Sequence, residues 1–260
     1  MKQIIITIFN LTIFIFVLGQ TPHNMVFIKG GTYVPLYSLD SGKAVVNSFY
    51  MDKYPVTNAE FEKFVLQNPQ WHKNKVKAIF ADKNYLKNWK TDSTFGIANK
   101  NERNSPVIYI SWFAAKKYCE CQGKRLLTVK EWEFVALASE TKKDASGDAK
   151  FSQKILDWYG KPTPKQFAEV GKGFRNAYGV YDMHGLVWEW TLDFLSALSV
   201  KDSRDGNNID KNEFCGAGSK GSKTPGNYAA FMRYAMRSSL KANFCQPNLG
   251  FRCASSIKLK

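Results

Sequence analysis

Histidine is scarce in this 260-residue chain, which holds only His23, His72 and His184, dispersed and at no metal-ligand spacing. There is no Gly-rich phosphate loop, no Gly-x-Ser-x-Gly elbow and no His-Glu-x-x-His, so three common catalytic signatures are absent. Arginine is scarce too: seven of the 37 basic residues are Arg. The formal charge of +15 therefore rests mostly on lysines scattered in ones and twos. Lysine is a compact, strongly hydrated charge that usually marks a solvated surface. No basic helix or aromatic stacking motif accompanies it, so nucleic acid is not the expected partner. An acidic protein or an anionic envelope surface stays open.

Long apolar runs are absent except for one. Met1-Lys2 is followed by Ile4 to Leu18, almost wholly apolar and broken only by Thr7, Asn10 and Thr12, and then by Gly19. This reads as a secretory signal over residues 1–20. A membrane anchor needs roughly 20 apolar residues, more than this run offers. No cysteine lies near residue 20, so nothing supports a lipoprotein anchor. The expectation is an extracytoplasmic protein, periplasmic or secreted, with no membrane span once the signal is cleaved. The remaining residues, 22–258, form one domain, and a chain that is 15% aromatic and 44% hydrophobic overall has ample material for its core.

Cysteines begin late and are odd in number: Cys119, Cys121, Cys215, Cys245 and Cys253. Disulfides are the default outside the cytoplasm. Five thiols leave at least one unpaired within the chain. In a helix, Cys119 and Cys121 point about 200° apart and seek different partners.

Met25 to Tyr33 reads as a strand entering a glycine turn, and Val45 to Asp52 as a second strand. Thr57-Asn-Ala-Glu60 has capping-box spacing and predicts a helix carrying Phe61 and Phe64 on one face. Gln67 to Arg103 has no clean period and reads as a surface excursion. Pro106 to Ile110 predicts a short strand. Ser111 caps a helix from Trp112 to about Cys121, stopped by Gly123. Thr128-Val-Lys-Glu131 is a second capping box. Ser139 to Phe174 and Lys201 to Gly226 are polar and patternless, long for loops of a compact domain. Glu131 and Glu133 read as ordinary helix-surface acids.

Several segments in order carry a resemblance. They are Phe49 to Phe61, Pro106 to Trp112, Gly123 to Glu133, Tyr178 to Thr191 with its Asp182-Met-His-Gly-Leu-Val-Trp-Glu189, Arg233 to Ser239, and Asn248 to Ala254. Together they resemble the formylglycine-generating enzyme family, also called sulfatase-modifying factors. The resemblance implies an α+β protein, a variant of the C-type-lectin fold with little regular secondary structure and long loops. It also implies a calcium site in which the side chains of Asp182 and Glu189 join the carbonyls of Gly185 and Val187. Calcium takes six to eight oxygen ligands in flexible geometry, which suits such a loop. The competing reading has Asp182 capping a turn and Glu189 pairing with an arginine. A disulfide Cys119–Cys253 is implied as well, with a stabilisation of roughly 4–5 kcal/mol by chain entropy. Cys215 and Cys245 would then be free to bridge, leaving Cys121 alone.

Family members that make formylglycine hold copper(I) on two cysteines, a pairing that suits a soft ion. Here Thr224 and Ala229 stand at those positions by the resemblance, so copper is not expected there and neither is the reaction. The branch that makes sulfoxides holds iron on histidines from an added domain, which this chain lacks. His184 remains the histidine to watch. Met232 and Met236 could offer soft ligands or fill the core. Three functions follow as expectations. The leading one is a non-enzymatic accessory that binds another extracytoplasmic polypeptide, with Arg233, Arg237 and Arg252 lining the groove or else bonding backbone carbonyls. The run Phe231 to Asn243 also resembles accessory proteins found beside bacterial copper enzymes. The others are an oxygen-dependent oxidoreductase with a rebuilt metal site, and a calcium-dependent lectin-like module.

Overall fold

Gly30 sets the first corner of the chain. The structure, a computed structural model, describes residues 24–35, 42–96, 100–195 and 225–256. Each of the two expected N-terminal strands splits in two, giving β1 (Met25–Ile28), β2 (Gly31–Tyr33), β3 (Ala44–Val46) and β4 (Phe49–Asp52). Both ribbons are antiparallel, with Ile28 opposite Phe49 and Gly31 opposite Val46. Between them the Gly30 amide donates to Ser48 Oγ at 2.9 Å. A Cβ at Gly30 would collide with the backbone of Val46 to Ser48, so only glycine permits this crossing.

The capping residues act as read. Helix α1 (Asn58–Gln67) opens on the Thr57 capping box and α4 (Val129–Ala136) on that of Thr128, while Ser111 caps α3 (Trp112–Cys121). Gly123 follows α3 with φ 66°. Strand β5 (Arg125–Leu126) and the C-terminal β8 (Cys253–Ser256) complete an antiparallel sheet in the order β1-β4-β8-β5. A one-turn helix, α2 (Lys100–Arg103), ends the excursion after α1. Two short strands, β6 (Trp188–Glu189) and β7 (Leu249–Gly250), pair in parallel.

Two expectations fail locally. Pro106 to Ile110 forms no sheet strand beyond a bridge between Thr57 and Pro106, because Tyr109 turns to φ 57° and breaks the extended run. The polar stretch after Ser139 holds a helix, α5 (Ala149–Tyr159). Asp148 caps it by accepting from the Lys150 and Phe151 amides, and Phe151 and Ile155, four apart, form its buried face. Helix α6 (Pro225–Ser238) lies against α5.

Three apolar clusters support this frame. The largest gathers Phe61, Phe64, Tyr118 and Phe251, whose rings meet at 5.2–6.1 Å. Each such side chain contributes about 2–3 kcal/mol by burial. A second cluster lies between the β-ribbons and α4, and a third joins α5 to α6. Cys119 and Cys253 are bonded, tying α3 to β8 across 134 residues. The expected Cys215–Cys245 bridge involves a residue outside the described ones. Cys245 is a free, buried thiol whose Sγ lies against the Asn243 carbonyl, and Cys215 lies outside the described residues. Burial, with Asp82 beside it, pushes the Cys245 thiol up. Cys121 is free and exposed. The expected signal segment lies outside the described residues, and none of the described helices is long and apolar enough to cross a membrane.

Candidate functional site

Two buried ion clusters meet on α4, at its neighbouring residues Trp132 and Glu133. Glu133 is 4% exposed, not the surface acid expected. Arg233 and Arg237, four apart on one face of α6, converge on it. Arg233 donates through Nε and Nη2, the latter at 2.6 Å, and Arg237 through Nη1 at 2.6 Å. Burial alone would raise this carboxyl, yet the two guanidinium groups hold it down at about 2. Arg233 Nη1 also donates to the Tyr159 hydroxyl at 3.2 Å. Thus one carboxylate anchors α6 to α4, and one guanidinium carries the link on to α5.

The second cluster centres on Glu189. Trp132 Nε1 donates to its Oε2 at 2.8 Å, and Arg252 spans both oxygens from Nε and reaches Oε1 from Nη2 at 2.7 Å. Arg252 spends its other donors on the carbonyls of Asp52, Lys53 and Tyr181. Trp132 joins the clusters, since Arg237 lies over its ring at 4.9 Å. The expected partner groove on Arg233, Arg237 and Arg252 is therefore corrected: all three are at most 5% exposed and committed to buried acceptors. Removing one partner of such a cluster leaves an unpaired buried charge, at a cost of about 3–5 kcal/mol.

The loop from Asp182 to Glu189 follows the competing reading. Asp182 adopts φ 58°, which aspartate tolerates. Its carboxylate accepts from the Gly173 amide at 2.9 Å and from that of Gly171. Burial raises this carboxyl, partly offset by those amides and by Arg252. A Cβ on Gly173 would strike the carboxylate, so the glycine is required for the contact. Gly185 turns the loop at φ 101°, and Val187 is buried. The donors do not fit calcium as they stand. A carboxylate has about four lone-pair positions, and Glu189 meets Arg252 and Trp132 at four contacts. Arg252 already brings to Glu189 the positive charge that calcium would bring.

Thr224 lies outside the described residues. Ala229 is 1% exposed and packs with Ala145, Phe151 and Ile155 in the α5–α6 cluster. The void beside it measures about 10 Å³, room for no more than one water. Tyr159, which packs on that cluster, stacks on Trp188 at 4.7 Å, and Trp158 lies 5.5 Å from the same ring. His184 is buried between Trp132 and Phe151. Met236 packs on the largest core cluster. No group of three or more His, Cys, Asp or Glu side chains among the described residues could hold a metal ion.

A separate cleft of about 560 Å³ opens where the excursion after α1 meets the loops at Pro164 and Pro247. Phe95, Ile108, Tyr109 and Phe167 line it with those prolines, and the exposed Asn88 and Lys165 add polar groups. Tyr109 is held in its left-handed conformation from both sides. Its amide donates to the Gln246 carbonyl at 3.0 Å, and its carbonyl accepts from the amide of Leu86 at 2.8 Å, itself at φ 49°. Each such residue costs on the order of 1–2 kcal/mol, and backbone of this kind gathers at ligand sites. Sequence reasoning missed the cleft, because its walls come from four distant segments.

The comparisons agree with the pattern of segments. The sulfatase-modifying factor enzyme 1-like domain matches residues 18–257. The inactive C-alpha-formylglycine-generating enzyme 2 of Bos taurus is 29% identical, over 91% of this chain and 89% of that protein. The formylglycine-generating enzyme of Mus musculus is 28% identical, over 82% of this chain and 67% of its own length. Among solved structures, Treponema denticola variable protein 1 superposes with a TM-score of 0.50 at 16% identity, covering 89% of this chain and 94% of that one, a likeness of fold. On the domain match, which spans every described residue, the chain belongs to the formylglycine-generating enzyme, or sulfatase-modifying factor, family.

Proposed function

We propose that this chain is a non-catalytic member of its family that binds another polypeptide outside the cytoplasm, and that it makes no formylglycine. The observation that carries the reading is Ala229. By the family resemblance it stands at a copper-thiol position, and here it is a methyl group packed against Phe151 and Ile155, with a void of only about 10 Å³ beside it among the described residues. An alanine cannot ligate copper(I), which needs soft donors. The relative named as inactive points the same way. The cleft at Tyr109 supplies the polypeptide seat: prolines and aromatic rings offer flat apolar contact, and the side chains of Asn88 and Lys165 suit peptide carbonyls and acidic side chains. The resemblance of Phe231 to Asn243 makes a copper enzyme of the periplasm the partner to try first.

Incubation with copper(I), oxygen and a Cys-x-Pro-x-Arg peptide tests the catalytic half. Mass spectrometry should find the peptide unchanged, and the mass loss of cysteine becoming formylglycine would overturn the reading. Metal analysis of the same sample should find neither copper nor iron in stoichiometric amount. Cross-linking of the exported protein to its partner tests the binding half. The partner should attach at residues of the cleft, and attachment confined to other faces would sink the assignment of the seat.

A further inference from the structure

Between the buried rings of Trp71 and Tyr85 the chain leaves the core as a series of turns. At their apex Ile79 is 70% exposed, more than any other large hydrophobic side chain among the described residues, and Phe80 beside it is 39% exposed. The apex is held in place. The amides of Phe80 and Ala81 donate to the Lys77 carbonyl, that of Asp82 donates to Asn243, and Asn243 Nδ2 donates back to Ala78. The Phe80 ring is braced by Trp71 at 6.2 Å and Phe113 at 5.4 Å. Flanking it along the chain are Lys75, Lys77, Lys83 and Lys87, all exposed and none paired with a carboxylate among the described residues. The acids of the same stretch of chain are occupied. Asp82 accepts from the amides of Asn84 and Cys245, and Asp92 from Asn74.

We propose that this apex docks on an anionic lipid surface, with Ile79 and Phe80 entering the headgroup layer and the lysines meeting lipid phosphates. An apolar projection flanked by cations is the chemistry that interfacial binding requires. A polypeptide would instead need a recess or a strand edge with unpaired amides. Here the amides of Lys75, Val76, Phe80, Ala81 and Asp82 are already bonded within the protein. The overall charge of +15 favours the same surface. The role is independent of the cleft, which has different walls.

Hydrogen exchange read by mass spectrometry on the full chain locates the contact whatever the first twenty residues do. Vesicles of phosphatidylcholine mixed with phosphatidylglycerol should slow exchange in peptides covering residues 72–87, and phosphatidylcholine alone should not. The I79D/F80D chain, its fold checked by its thermal melt, should lose that slowing. The K75E/K77E chain should bind the anionic vesicles at least about tenfold more weakly. No slowing at 72–87, equal slowing by neutral vesicles, or undiminished slowing in I79D/F80D would overturn the proposal. So would slowing by polyglutamate that I79D/F80D leaves intact, because the patch would then belong to an acidic polypeptide.

Discussion

His184 shows at the residue scale how burial decides a chemistry that composition leaves open. Its Nε2 lies 3.0 Å from the Ala136 carbonyl, and its Nδ1 is buried with no hydrogen-bond partner among the described residues. Burial, then the charge of Arg233, holds its pKa down from 6.5 to about 3. The imidazole is therefore neutral at neutral pH, with the proton on Nε2 donating to the carbonyl. The unfolded chain takes up a proton near pH 6.5 and the folded chain only near pH 3. In that window the folded state binds fewer protons, so stability falls as pH falls, by at most about 1.4 kcal/mol per pH unit. Urea denaturation across the window should show this slope in the parent. H184Q, which keeps a donor for Ala136 and does not titrate, should flatten it; an unchanged slope would place the titration elsewhere. Glu133 makes the same point about acids. Its neighbour Glu131 was legible as a cap, but nothing local told that Glu133 faces inward, because its partners lie 100 and 104 residues away.

At the scale of elements, legibility follows locality. The caps of α1, α3 and α4 are written within four residues, and those helices start where the sequence places them. Helix α5 was missed because its buried face is short and its flanks polar, although Asp148, Phe151 and Ile155 stand at cap and i,i+4 spacing. The broken strands were missed for the opposite reason: the pattern was continuous, and the corner depends on contact between Gly30 and the turn at Asn47 and Ser48. The link between α3 and β8 gives this scale its prediction. Replacing both Cys119 and Cys253 with serine removes a crosslink spanning 134 residues, and should lower stability by about 4–5 kcal/mol. Chemical denaturation of the parent and the double variant measures it. A loss below about 1 kcal/mol would mean that packing of Phe251 and Tyr118 alone holds the strand.

At the scale of the whole molecule, buried charge ties distant segments of the family fold together. Arg252 bridges Glu189 to the carbonyls of Asp52, Lys53 and Tyr181, so the C-terminal strand, the Asp182 loop and β4 share one guanidinium. A protein held this way should not depend on calcium. Its thermal midpoint should be the same in excess EGTA as in millimolar calcium, and a fall of several degrees on chelation would restore the calcium loop. R252K, which keeps the charge and loses the fork, should melt well below the parent.

The sequence by itself determined the family, the caps and the lysine-rich character, because ordered motifs and composition are properties of the chain read in line. It also placed Cys119 and Cys253 together, through the resemblance. Only the tertiary structure decided what the arginines do, since a guanidinium serves a groove or a buried carboxylate according to what packs over it. It likewise decided that Ala229 faces α5 and that Tyr109 lines a cleft. Those outcomes depend on contacts between segments far apart in the chain, where local pattern carries no information.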